Sequence, residues 1–121
     1  MIDHVTLRVS DFEASKRFYD TVLAPLGRVP GYATADPPSA EWGDFSIIIT
    51  TDSKPVSRDV HVAFAASSRA EVDAFHAAGV TAGYADNGAP GERAQYHPGY
   101  YGAFLLDPDG NNVEAVFHDR S

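Results

Sequence analysis

Asp107-Pro108-Asp109-Gly110-Asn111-Asn112-Val113-Glu114 reads as a tight turn that runs directly into a strand. Pro108 presets φ at the second turn position, and Gly110 suits the fourth. Beyond the turn the side chains alternate. Val113, Ala115 and Phe117 share one face; Asn112, Glu114 and Val116 share the other. A carboxylate inside an apolar strand is costly to bury unless a cation or hydrogen-bond donors meet it. The reading of the chain turns on what meets Glu114.

Working outward, residues 101–106 supply the strand that pairs across this turn, closing a hairpin. Before it, residues 87–100 are punctuated by Gly88, Pro90, Gly91, Pro98 and Gly99 and read as a long loop, with a short strand at residues 81–86. Further back, Ser68-Arg69-Ala70-Glu71 matches a capping box, and the helix it opens carries Val72 and Phe75 to Gly79. Val60, Val62 and Phe64 alternate with His61, Ala63 and Ala65, as in a half-buried strand.

The first half has the same order. Val5, Leu7 and Val9 form one face of a strand, and His4, Thr6 and Arg8 the other. Ser10-Asp11-Phe12-Glu13 is a capping box with Ser10 at the N-cap. The helix runs to about Leu23, with Ala14, Phe18, Val22 and Leu26 toward the sheet and Pro25 and Gly27 closing it. Three short strands follow, at residues 28–33, 40–42 and 45–51, the last the most strongly β-forming segment of the chain. A shift of 57 residues carries His4 onto His61, Val5 onto Val62, Ser10 onto Ser67 and Phe18 onto Phe75. The repeated strand, capping box and helix point to an internal duplication. The expected fold is therefore α+β: one domain over residues 1–121, built from two βαβββ modules at 1–56 and 57–121.

The chain has 121 residues, 44% of them hydrophobic and 21% charged, which is ordinary for a soluble domain with a real core. It contains no cysteine, so disulfides, thiolate metal sites and a cysteine nucleophile are excluded. The net charge of -8, with no Lys/Arg cluster, disfavours nucleic acid and anionic membranes as partners. No apolar run approaches the ~20 residues of a membrane span. Met1-Ile2-Asp3-His4 lacks the basic flank and apolar region of a secretory signal, so a cytoplasmic location is expected.

These features together resemble the vicinal oxygen chelate superfamily: glyoxalase I, fosfomycin-resistance thiol transferases, extradiol dioxygenases, methylmalonyl-CoA epimerases and bleomycin-resistance proteins. The resemblance covers essentially the whole chain. It is carried by His4-Val5, Phe18-Tyr19, His61-Val62 and the segment from Asp107 to Glu114. It implies that the two modules curl into an incomplete barrel around a central cavity holding a divalent metal. By resemblance, His4, His61 and Glu114 fall on three of four ligand positions. Ile48 is the match for the fourth, with Ser46 and Thr50 the oxygen-bearing residues nearby. Members with a Glu at that position include those like glyoxalase I, so the departure counts against that reaction. Homodimers are common among such proteins, and one is expected here.

Two histidines and a carboxylate suit Fe, Mn, Zn, Ni or Co, and the sequence does not choose among them. Three protein ligands leave positions for a small substrate with two adjacent oxygens. His97 and Tyr101 are the candidate acid–base residues, since a loop imidazole titrates near working pH. Arg8, Trp42, Tyr96 and Tyr100 are the candidate substrate contacts, although Arg8 is equally a structural partner for Glu114 and Trp42 equally a core residue. His76 and His118 read as solvent-facing. The resulting expectation is a metal-dependent lyase, isomerase or dioxygenase. The alternative is a metal-free ligand-sequestering protein of the bleomycin-resistance kind; the unfilled fourth position favours it and the retained His4, His61 and Glu114 oppose it.

Overall fold

The computed structural model describes every residue from Met1 to Ser121. Eight strands and two helices follow in the order β1 (Val5–Val9), α1 (Phe12–Leu23), β2 (Ala33–Ala35), β3 (Pro38–Trp42), β4 (Phe45–Ile49), β5 (His61–Ala65), α2 (Arg69–Thr81), β6 (Asp86–Glu92), β7 (Tyr100–Leu106) and β8 (Asn112–His118). A 3-10 turn, Ala24–Leu26, extends α1 and ends at Gly27 in the left-handed region, φ 76°. The strands form two mixed four-stranded sheets with matching orders, β1-β4-β3-β2 and β5-β8-β7-β6. In each, the first strand is parallel to the last and the other pairs are antiparallel. Two βαβββ modules are therefore present, and their sheets do not close on each other, as in an incomplete barrel.

Each helix covers one face of its own sheet. Phe18, Tyr19, Val22 and Leu23 are the buried stripe of α1; Val72, Phe75 and Gly79 are that of α2. One apolar cluster runs through both modules, from Leu7 and Ile47 through Phe45 and Phe64 to Leu105 and Val113. Phe45 meets Phe64 edge-on at 5.0 Å between ring centroids, and Phe18 meets Tyr84 at 4.8 Å. Gly79 lets α2 approach closely: a Cβ there would lie 3.3 Å from Val22 of α1 and would run into Leu105 of β7. The faces turned away from the helices remain open. No helix is long and apolar enough to cross a membrane.

Several local expectations shift. The N-cap of α1 is Asp11, whose Oδ1 accepts from the Ala14 N–H at 3.1 Å. Ser10 is engaged elsewhere, with its hydroxyl donating to Asp109 at 2.5 Å. Ser68 caps α2 as read, its Oγ accepting from the Glu71 N–H, while the Glu71 carboxylate accepts from the Ser67 N–H, one residue before the N-cap. No strand forms over residues 28–32, where one was expected to run to residue 33; β2 begins at Ala33, and β4 ends at Ile49. The largest correction lies in residues 81–100. Thr81 ends α2, and the first six residues of the glycine- and proline-rich stretch expected as loop belong to strand β6. β6 is an outer strand, where Pro90 costs no shared ladder bond, and its register slips at Gly88 and Gly91. The connecting loop shrinks to residues 93–99.

Candidate functional site

Register decides which residues face away from the helices. In the second module Ala63 lies opposite Glu114, and Glu114 opposite Phe104. Val113 and Ala115, the neighbours of Glu114, point to the core and are fully buried. Glu114 therefore stands on the helix-free face together with His61, Phe104 and Tyr100.

Glu114 has two partners. His61 Nε2 lies 2.7 Å from its Oε1, with the Glu114 side chain 1% exposed and the His61 side chain 54% exposed. The Tyr100 hydroxyl donates to its Oε2. Burial first, and then this hydrogen bond, hold the Tyr100 phenol well above its ordinary pKa of 10.0, so Tyr100 is the donor of the pair. Gly102 makes room, because a Cβ there would come within 3.1 Å of the Glu114 carboxylate. The structure thus sets a buried carboxylate at the base of an accessible imidazole. Arg8 is not its partner: Nη1 of Arg8 donates to the Ile49 carbonyl at 3.3 Å.

The third candidate ligand does not join this pair within the chain. His4 stands just before β1, its side chain 71% exposed and its Nδ1 2.9 Å from Asp3 Oδ1. No group of three His, Asp or Glu side chains is close enough to share one ion. The fourth position is also revised. Thr6 pairs with Ser46 in the first sheet as Ala63 pairs with Glu114 in the second. Ser46, rather than Ile48, is the counterpart of Glu114, and its hydroxyl lies 2.7 Å from that of Thr6. The shift that aligns the first strands fails at the last ones because the second module is longer between helix and final strand. Only the ladder register reveals this.

The other candidates separate by face. Trp42, read as either a cavity wall or a core residue, is core: it is fully buried against Tyr19 and Phe45, and its Nε1 donates to Asp20 at 3.0 Å. Tyr101 lies on the helix side and donates to Asp73 of α2 at 2.6 Å. Tyr96, His97 and Tyr100 do cluster: the Tyr100 ring contacts Tyr96, His97 and His118 at 4.8–5.4 Å between centroids. His97 Nδ1 donates to the Pro98 carbonyl, leaving Nε2 to accept from His118 Nδ1 at 2.9 Å. The nitrogen of His97 that would take a proton is thereby occupied by His118, a residue read as solvent-facing. Phe104 was not singled out by sequence; it lies 6.1 Å from the His61 ring, between centroids. An alternating aromatic beside a Gly in the strand paired to Glu114 was the available signal.

A groove of about 360 Å³ runs between β1 and β5, lined by Ile2, Val5, Phe45, His61, Val62 and Phe64 among others. It joins the His61 imidazole to the unpaired edges of both first strands.

The family model described as the Glyoxalase/Bleomycin resistance protein/Dioxygenase superfamily matches residues 1–115. Among solved structures, the chain is similar to a glyoxalase/bleomycin resistance protein from Albidiferax ferrireducens T118. The two are 37% identical with a TM-score of 0.77, over 95% of this chain and 97% of that one. A glyoxylase/bleomycin resistance protein/dioxygenase domain from Frankia sp. EAN1pec matches at 22% identity and a TM-score of 0.69, over 98% of each chain. A lactoylglutathione lyase from Agrobacterium tumefaciens matches at 19% identity and 0.67, over 97% of this chain and 92% of that one. At these lower identities the likeness is one of fold. No curated protein sequence matches significantly.

Proposed function

The chain belongs to the glyoxalase/bleomycin resistance protein/dioxygenase superfamily, and from that premise we propose that it is a metal-dependent enzyme acting on a small oxygen-rich molecule, of lyase, isomerase or oxygenase type. The observation that carries this reading is the contact between His61 and the buried Glu114 carboxylate on an open face. Imidazole nitrogen and carboxylate oxygen are donors for a borderline divalent cation such as Fe, Mn, Zn, Ni or Co. The pair fits such an ion as a half-site: Glu114 supplies the compensating charge, and Tyr100 fixes the orientation of its carboxylate. A bound cation would serve as a Lewis acid toward a chelating substrate. Phe104 and Tyr100 would hold the apolar part of that substrate and exclude water.

His4 is the remaining donor, and in a single chain it joins no cluster. β1 and β5 each have one edge without a partner strand, and Ile2 and Val5 are exposed beside them. We place the working unit as a homodimer in which His4 of one chain meets His61 and Glu114 of the other. Mixing a His4→Ala variant with a Glu114→Gln variant is then expected to restore one intact site per mixed dimer. Failure to recover metal binding in mixtures that sedimentation shows to be dimeric would overturn the shared site.

The decisive measurement is metal content of protein purified without chelator. Loss of an outer-shell partner alone typically costs about 10–100-fold in affinity, so Glu114→Gln should cost at least about 100-fold. Full occupancy in that variant would place the site elsewhere. A metal-free ligand-binding role is favoured by a separate observation, the cluster of Tyr96, Tyr100, His97 and His118, which offers aromatic stacking surface. Undiminished ligand binding after complete metal removal would select that reading.

A further inference from the structure

The helix-free face of the first sheet differs in chemistry from that of the second. Its floor carries Thr6, Ser46, Ser39 and Glu41 around a concavity of about 180 Å³, with Ile48 between them and the exposed Tyr32 at the rim. Thr34 donates to the Pro37 carbonyl at 2.6 Å and therefore accepts from Ser39 at 2.5 Å, which leaves the Ser39 lone pairs open. Thr6 and Ser46 share one hydrogen bond, so one hydroxyl hydrogen and several lone pairs remain. The Glu41 carboxylate has no ion-pair or side-chain hydrogen-bond partner anywhere in the chain. No Lys or Arg lines the concavity, and Arg8, the cation on the same strand face, is turned to the Ile49 carbonyl.

This surface has more acceptors than donors and carries an uncompensated negative charge. It suits ligand groups that donate hydrogen bonds and repels anions. Resting on the reading that the helix-free faces form the substrate cavity, we propose that the first sheet binds a hydroxyl- or ammonium-bearing, non-anionic part of the substrate. Glu41 and the Thr6–Ser46 pair are the residues that select it. At about 30 Å³ per water, the concavity has room for about six waters, enough to admit a three-carbon polyol.

Three probes of that size separate the chemistries: 2-amino-1,3-propanediol (cationic), glycerol (neutral) and glycerate (anionic). Each is titrated into isotopically labelled protein at fixed ionic strength, following backbone amide shifts of Thr6, Glu41 and Ser46. Ligands so small bind in the millimolar range. The expected result is tightest binding of the aminopropanediol, at least about tenfold over glycerate, with glycerol between. The overall charge of -8 repels glycerate from the whole surface, so Glu41→Gln isolates the local effect. That variant should lower the cation-to-anion ratio clearly, to the remainder set by the overall charge, and Ser46→Ala should weaken all three probes. Glycerate binding as tightly as the cation, an unchanged ratio in Glu41→Gln, or no shift at these amides with any probe would each overturn the proposal. The same titration on Glu114→Gln protein, together with its metal content, keeps the two readings apart. Selectivity in the first sheet should persist when the metal is lost, whereas metal retention in that variant would count against the metal site alone.

Discussion

Asp107 shows how one side chain holds both the closing turn and the first helix. It is buried without a cation nearby, and donors replace the solvent it loses. Tyr19 Oη donates to it at 2.7 Å, and the N–H groups of Asp109 and Asn111 donate at 2.9 Å each. Burial and then the Asp107 carboxylate raise the Tyr19 phenol well above 10.0. Tyr19→Phe removes one donor from a buried carboxylate and should cost about 1–3 kcal/mol near pH 7. The folded-state value is the higher one, so this contribution is complete below pH 10 and is lost as the pH rises from there toward the folded-state value. Wild-type protein and Tyr19→Phe should therefore converge in stability above pH 10, as read by denaturant midpoints across pH. A constant gap would mean that Tyr19 acts through packing alone.

At the scale of elements, caps and turns were legible because their signals are local. Ser68 caps α2 as its sequence says, and Ser68→Ala should cost about 1 kcal/mol with the chemical-denaturation slope unchanged. Gly110 has φ 84°, and nothing lies within 4 Å of where its Cβ would stand. A substitution there thus tests backbone strain without a clash. Gly110→Val should cost about 1–3 kcal/mol, and Gly110→Asn clearly less, because Asn tolerates the left-handed region. Equal losses in thermal or denaturant unfolding would argue that the strain lies elsewhere. β6 was not legible for the same reason that the caps were. Its Gly and Pro residues announce a break locally, but an outer strand with bulges tolerates them once β7 is in place to pair with.

At the scale of the molecule, the modules are joined through Asn111 as well as through the shared core. Its side chain accepts from the Val60 N–H and donates to the Ser57 carbonyl, both at 3.0 Å. The Ser57 N–H in turn donates to the Arg8 carbonyl of β1, and the Arg8 N–H donates to Ser57 Oγ. The turn before β8 thus fixes the linker, and the linker covers part of the outer edge of β1. Asn111→Ala would leave a donor and an acceptor without partners and should cost about 2–3 kcal/mol, measured by urea unfolding. Because one apolar cluster spans both modules, the loss should appear as a lower midpoint of a single transition. Two separated transitions would show that the modules fold independently.

The amino-acid sequence by itself determined the repeated βαβββ order, both helices, the closing hairpin and the superfamily. The first three rest on periodicity and on φ preferences that act within a few residues; the superfamily rests on the resemblance carried by His4-Val5, Phe18-Tyr19, His61-Val62 and the segment from Asp107 to Glu114. Only the tertiary structure decided that Glu114 meets His61 and Tyr100 rather than Arg8, that Ser46 is its counterpart in the first sheet, and that Trp42 belongs to the core. Those outcomes depend on the register between strands that are distant in the chain. A slip of one residue exchanges the two faces of a strand, and register is set by the burial of Leu7, Ile47, Val113 and Ala115 beneath the helices, which no short window of sequence contains.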